Sequence, residues 1–354
     1  VVQFDVTDWD FIMTRVDLNG QVSIVDDGKF TAKTPEISEE SIVNVRYGAT
    51  MLEFDGEIDG RLQHAGVKTL SWDYSSQEIA EAEASEPDFS EPGNLTGEDI
   101  GNQLAMEVFQ MQHGGYLSDE VLQLWADAKL LKSRMAKIRG RVKFQGKAEV
   151  KPGATITIEG VGDRMSGNHF ISGVRHQIFQ GKWETDVQFG IHPEWFAELY
   201  RNARNNLATL SPLVNGLHVG VVTKLEGDPA GENRIQVHLP IINPDEEGIW
   251  TRLACLDAGD SRGTFFRPEI NDEVVVGMFG DDPSNPVVLG MLHSSAKPAP
   301  TDMSDDNHEK GYVSRSEMKF VFNDDKKSVT LETPAGKLFK IDEDEEAITL
   351  EDEN

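Results

Sequence analysis

Cysteine is nearly missing: Cys255 stands alone in 354 residues. That excludes an intrachain disulfide framework and fits a chain folded in a reducing compartment. No apolar run approaches the roughly 18 residues that a membrane-crossing helix needs, and no basic-then-apolar stretch reads as a signal peptide. Positive charge is scarce too, with 33 Lys and Arg against 62 Asp and Glu and a formal net charge of −29. Such a field repels phosphate backbones and anionic lipid, so sequence-independent binding to either is not expected. The nine histidines never adopt a metal spacing such as HExxH, no GxSxG elbow is present, and the glycines at Gly160 and Gly162 read as turns, not as a phosphate loop. The chain also lacks an initial Met, begins mid-pattern and ends in a strand-like run, so a piece of a longer protein is expected.

What is present centres on Gly263–Leu292. Val274, Val276 and Met278 alternate with Val275 and Gly277, the polar run Asp281–Pro286 turns the chain, and Val287, Leu289 and Met291 resume the alternation. This predicts a half-buried antiparallel hairpin, with Pro268 and Pro286 placed ahead of the strands. Three more strands precede it, Leu217–Leu225, Arg234–Ile241 and Trp250–Leu256. Five short strands in about 75 residues fit a small closed barrel of the OB type.

Upstream, residues 7–19 predict a short helix capped by Thr7 and stopped at Gly20. Strands are expected at Gln21–Val25, Ile42–Arg46, Met51–Ile58 and Val67–Tyr74. Residues 75–99 are acidic, contain Pro and Gly, and have almost no apolar side chains, which predicts a mobile surface excursion. Ser118–Ile138 predicts one long helix with an apolar stripe of Val121, Leu122, Leu124, Trp125, Ala128, Leu131 and Met135. Lys132, Arg134, Lys137 and Arg139 complement the negative end of its dipole. Strand-length segments follow at Arg141–Phe144, Ala154–Glu159, His169–His176 and Trp183–Gly190, then a short helix over Pro193–Asn206.

The tail from Glu317 to Asn354 repeats. Phe320, Val329, Phe339 and Ile348 are spaced 9, 10 and 9 apart, and Phe322, Leu331, Ile341 and Leu350 follow two residues behind. Each unit is a short amphipathic strand and a polar turn. A lone ribbon of this kind has nothing to cover its apolar face. Three copies meeting on an axis would cover it and close the sheet edges.

The search for chemistry finds no assembled active site, and no catalytic residue, metal or cofactor is expected. Cys255 reads as a small core residue of the third barrel strand. Phe265–Phe266 and Trp195–Phe196 read as packing residues, since no Lys or Arg surrounds them as a nucleic-acid stacking platform requires. Asp342, Asp344 and Glu346 form a solvated run that lacks the glycine of an EF-hand loop.

The barrel and the repeat together resemble the VgrG-type central spike family of contractile injection systems, which is similar to the baseplate hub and puncturing needle of contractile phage tails. The barrel motif is carried by Phe265, Phe266, Pro268, Asp272, Glu273, Val274, Asp282, Pro283, Pro286 and Gly290. Thr7–Phe11, the run from Lys151 to Gly160, His169–Phe170 and Val174–His176 resemble the hub half, and Val329–Gly336 resembles the opening of the needle. The resemblance implies a mainly β fold with a few helices: hub-like β-barrels over 1–206, an OB-fold neck over 207–296, a linker over 297–316 and, over 317–354, the start of a trimeric triple-stranded β-helix needle. The first barrel is expected to be incomplete, because the family has more chain before Thr7. Ser294–Ser316 is too short for the lysozyme domain of some phage needles, so no muralytic activity is implied, and no effector domain is expected after Asn354. The implied partners are two further copies, an inner tube protein, baseplate components, a PAAR-like tip protein and effector cargo, with transient target-membrane contact. Assembly is expected in the bacterial cytoplasm, followed by export with the particle. A trimeric β-solenoid glycan hydrolase and an OB-fold nucleic-acid binder are the competing readings.

Overall fold

The computed structural model describes residues 3, 6–73, 75–76, 78–113, 115–199, 214–240, 242 and 247–352. The chain divides into two compact units, Val1–Met291 and Leu292–Asn354.

The first unit opens with helix α1 (Asp8–Leu18), where the Thr7 hydroxyl accepts from the Asp10 N–H at 3.1 Å. That bond satisfies one of the orphan donors of the first turn. A hairpin follows, β1 (Val22–Asp26) with β2 (Lys29–Lys33), and then β3 (Val43–Arg46) and β4 (Met51–Ile58). Next come β5 (Val67–Asp73), β6 (Glu78–Glu83), helix α2 (Gly97–Gln103), β7 (Phe109–His113) and helix α3 (Asp119–Met135). Four strands complete this half, β8 (Ile138–Gln145), β9 (Thr155–Glu159), β10 (Gly167–Phe179) and β11 (Lys182–Phe189), ahead of a short helix α4 (Phe196–Leu199). Beyond Leu199, the rest of the helix expected to Asn206 and the boundary at 206–207 lie outside the described residues.

Two sheets organise this hub half. One is an open six-stranded half-barrel in the order β3-β9-β10-β11-β8-β4, which brings strands from both ends of the region together. Its core includes Val142, Ile156, Ile158, Ile171, Val187 and Phe189. The other is three-stranded, β6-β5-β7, and α3 packs on it through Leu122, Trp125, Ala126 and Leu130. The expected α3 stripe is narrower than its apolar residues suggest, because Val121 and Leu124 are exposed. The helix ends at Met135, and Ile138 already belongs to β8.

The acidic stretch 75–99 departs from the sequence reading. It contains β6, which pairs along β5, followed by a strap held down by buried cations of the α3 end. Arg134 makes two bonds to Glu86, 2.6 and 3.0 Å, and Lys137 reaches Glu91 at 2.6 Å and the Leu95 carbonyl at 2.5 Å. Burial lowers the Lys137 pKa, and the Glu91 carboxylate beside it works against that. The acids that make this stretch look solvated are the counter-ions that let Arg134 and Lys137 be buried.

The second half of this unit is a closed five-stranded barrel: β12 (His218–Lys224), β13 (Ile235–His238), β14 (Ile249–Leu253), β17 (Glu273–Met278) and β18 (Pro286–Met291). A small two-stranded ribbon, β15 (Ala258–Gly259) with β16 (Arg262–Gly263), projects between β14 and β17. The order β12-β13-β14-β18-β17 closes on β12, and its parallel pair is β14 with β18. This is the Greek-key connectivity of an OB barrel. Val222, Val237, Val274, Val276 and Val288 fill its centre. The expected hairpin is present, but its second strand has the opposite phase from the one read in the sequence. Val275 faces Gly290 and Val276 faces Val288, so Leu289 is an extra residue, a β-bulge. Val288 is therefore buried, while Leu289 and Met291 are exposed. Cys255 likewise lies beyond the end of β14 and is exposed, not in the core.

The second unit is an antiparallel meander of five strands: β19 (Glu309–Val313), β20 (Lys319–Asn323), β21 (Ser328–Glu332), β22 (Leu338–Asp342) and β23 (Ala347–Glu351). Strand β19 lies inside the stretch read as linker, so the sheet starts one strand earlier than the repeat suggests. Lys310 explains the omission: it stands opposite Phe322, where the other strands of the repeat carry an apolar side chain, and so interrupts the alternation.

Candidate functional site

The residues singled out in the tail gather on one face of the meander. Tyr312, Phe320, Leu331, Phe339 and Leu350 stand directly opposite one another across the five strands. A second row runs Phe322, Val329, Ile341 and Ile348, ending at Lys310 on the first strand. Directly opposite side chains share a face, so all eight expected core residues do so. The other face carries Lys319, Glu332, Thr330, Lys340, Thr349, Ser328 and Asp342, with ion pairs Lys319–Glu332 at 3.3 Å and Lys340–Asp342 at 2.6 Å. The Lys340 ammonium, hydrogen-bonded to Asp342, lowers that carboxyl's pKa. Polar partners are thus satisfied on one side of this sheet, and the apolar side is left without cover in the single chain: Phe320 is 42% exposed and Leu350 78%. Contiguous exposed apolar faces are uncommon on monomeric proteins.

In the barrel, the motif residues divide by role. Val274, Pro268, Asp282, Pro283 and Pro286 are buried, and Glu273 pairs opposite Val221. The Asp272 carboxylate accepts from the Glu269 N–H at 2.8 Å, and the Asp272 carbonyl from the Val222 N–H at 3.0 Å, which fastens the 268–272 loop to β12. Gly290 faces Val275 beside the bulge. Phe265 and Phe266 depart from expectation, since both are exposed, Phe265 by 84%. They lie in the segment after the β15–β16 ribbon, outside any strand, where the barrel core does not reach. Trp195 does pack as expected, inside the α3 core.

Three barrel cations are engaged by acids: Lys224 with Glu247 at 2.9 Å, Arg234 with Asp228 at 2.6 Å and Arg262 with Asp257 at 2.8 Å. The Arg234 hydrogen bond pulls the Asp228 pKa well below the usual carboxylate range. In the hub, Arg61 draws Asp59 down to about 2 in the same way, and burial brings His169 down to about 4. These are structural networks. Among the described residues, no group of three or more His, Cys, Asp or Glu is placed to hold a metal ion. Ser71 and His113 are register partners on adjacent buried strands, and Asp282 lies 3.4 Å from His113 Nε2. This is not a nucleophile triad: Nδ1 of His113 is engaged by Gly115 and Nε2 faces Asp282, so neither nitrogen activates the serine.

An open hub sheet, an OB barrel and a one-sided repeat sheet define an assembly protein whose surface of interest is a face, not a cleft. The chain belongs to the Alg8 N-terminal domain family, whose model matches residues 1–180, half of its length. Residues 218–293 match the model of the type VI secretion system/phage-baseplate injector OB domain. Two curated relatives from Pseudomonas aeruginosa are the type VI secretion system spike proteins VgrG1a and VgrG1b. The first is 24% identical over 166 residues, covering 44% of this chain, and the second 24% over 190 residues, covering 50%. The matched part is 26% of the length of either relative. Among solved structures, the Francisella PdpA-VgrG complex in its lidded form aligns over 98% of this chain and 56% of that one, with a TM-score of 0.52 and 9% identity. That likeness is one of fold. Together these matches bear out the resemblance to VgrG-type spike proteins.

Proposed function

We propose that this chain is the hub, neck and needle base of a homotrimeric spike in a contractile injection system. In this reading the hub half caps the inner tube and meets baseplate components. The barrel forms the neck, and the repeat sheet begins a needle that ends in a PAAR-like tip and travels with effector cargo. Sheath contraction supplies the work of crossing the target envelope, with transient contact to its membrane. The particle is assembled in the bacterial cytoplasm and then exported. The role is structural, without catalysis.

One observation carries the reading: the two apolar rows on the tail sheet, one across all five strands and one across four, whose side chains the single chain leaves partly or largely exposed. Burying one such side chain is worth roughly 1.5–3 kcal/mol, and identical faces meeting on a three-fold axis bury all of them at once. The charge balance and the acid-paired barrel cations speak against the nucleic-acid reading, because that class needs an open basic groove. No helix among the described residues is long and apolar enough to cross a membrane.

The test is location and mass. Sedimentation of the full chain is expected to give three copies per particle, and an antibody against the barrel is expected to label purified sheathed particles at the end of the inner tube. A monodisperse monomer, or particles without label, would overturn the proposal. Release of reducing sugar from envelope polysaccharide would favour the glycan-hydrolase alternative.

A further inference from the structure

We infer that the turn Asp282–Asn285 of the barrel is a key that seats the barrel on the hub and carries load between them, with Asn285 as its positioning residue. The key joins this chain's own two halves; that it carries load rests on the spike reading, whereas the seating of barrel on hub does not.

The Asn285 side chain behaves as a neighbouring strand's peptide would. Its carbonyl accepts from the Tyr116 N–H at 2.9 Å, and its amide donates to the Tyr116 carbonyl at 3.2 Å. Tyr116 lies 169 residues earlier, in the hub loop between β7 and α3. The approach is close enough to dictate the residue beside it: a Cβ on Gly115 would sit 2.6 Å from Asn285 Cγ. Real Cβ atoms do not come that close, so any side chain at 115 would have to displace Asn285 from its present position.

Asp282 supplies the second point of contact. Its buried carboxylate accepts from the Ser284 N–H at 2.8 Å and from the Asn285 amide at 3.1 Å, which holds the amide in position for Tyr116. It also faces His113 Nε2 at 3.4 Å, across the same seam, with both side chains almost fully buried. The preceding residue closes a third side, because the Val214 N–H donates to the Asp281 carbonyl at 2.9 Å and Val214 is where the described barrel half begins. Pro283 lies within the key and fixes one of its φ angles, Pro286 follows it directly, and both are buried. The hub loop, the entry to the barrel and the β17–β18 hairpin therefore converge on the five residues 281–285.

A turn with no wider role explains part of this. Asp282 accepting from Ser284 is an ordinary Asx turn. It does not explain why the Asn285 amide is committed to a hub peptide, or why Gly115 leaves room for it. In a structure that must stay aligned under axial force, a short rigid polar interlock resists shear better than a flexible connection of the same length.

The test uses the full chain with Asn285→Ala and Gly115→Ala, and with Ser284→Ala as the control on the same turn. Hydrogen exchange over residues 113–117 is expected to speed up about tenfold or more in Asn285→Ala, since two hydrogen bonds are lost there, while β10 and β17 keep wild-type protection. Calorimetry is expected to show one joint transition for hub and barrel in the wild type and in Ser284→Ala, and two separate transitions in Asn285→Ala. Single molecules pulled between hub and barrel are expected to part at lower force in that variant. Unchanged exchange, an undivided transition and unchanged force in Asn285→Ala would overturn the inference. Hub and barrel melting separately in the wild type would also overturn it. If Gly115→Ala fails to fold, Asn285→Ala, which shortens a side chain and adds no clash, decides the question alone.

Discussion

The barrel and the tail sheet are written in the same alternating code and use it oppositely. In the barrel, Val274, Val276 and Val288 are wholly buried, because a closed five-stranded sheet folds its apolar face onto itself. In the tail, Phe320, Leu331 and Ile348 alternate just as regularly and remain exposed, because an open meander has no second layer of its own. Alternation announces that one face is apolar. Closure decides whether the chain can cover that face without help.

One substitution in each sheet tests this difference. Val276→Asp puts an unpaired charge in the sealed barrel and is expected to cost about 4–5 kcal/mol, read as loss of the barrel transition in thermal unfolding. Leu331→Asp makes the same chemical change on the open sheet. Association is expected to fall away in sedimentation, while barrel stability shifts by less than about 0.5 kcal/mol. Equal losses in both variants would mean that the tail face is covered within the chain.

A third measurement compares hub and tail by pH. His169 is buried in the hub with its pKa brought from 6.5 down to about 4, and its Nε2 bonds the Met165 carbonyl at 2.9 Å. The folded value lies below the unfolded one, so protons bind preferentially to the unfolded chain. Stability from this site is complete above about 6.5 and is lost as pH falls toward 4, a swing of roughly 3 kcal/mol. Hub melting temperatures between these two limits should fall steeply in the wild type and less steeply in His169→Gln, with the tail unaffected. The smallest effect is expected on the tail's polar face. Lys319→Ala removes an exposed ion pair with Glu332 and should change stability by no more than about 0.5 kcal/mol, within the error of a denaturant melt.

What can be read from the sequence follows the same division. The barrel strands, the α1 cap at Thr7 and the phase of the tail repeat are local periodicities, and the chain displays them openly. The strap over α3 is illegible there because Glu86 and Glu91 look like solvated acids until Arg134 and Lys137, more than 40 residues later, arrive beneath them. The phase of β18 is hidden by the bulge at Leu289: Val288 ahead of it faces Val276 and Met291 beyond it faces Val274, so no single alternation runs through the strand. Phe265, Phe266 and Cys255 read by composition as interior, yet their segments lie outside the barrel strands. The Asn285 contact has one faint signal, the pair Gly114–Gly115 just ahead of a helix start. Nothing in the sequence says what approaches it.

The uniform repeat of the tail also sets a scale. Each unit of about ten residues contributes one strand, and neighbouring strands sit about 4.8 Å apart. The sheet therefore works as a ruler with fixed graduations. Adding or removing one unit changes its extent by a single step without altering its thickness, its two-row pattern or the chemistry of either face. Growth of this kind is slow per residue, about half an ångström each. It lets length vary independently of everything else the sheet does, and whether the number of steps is odd or even decides at which end the next turn emerges.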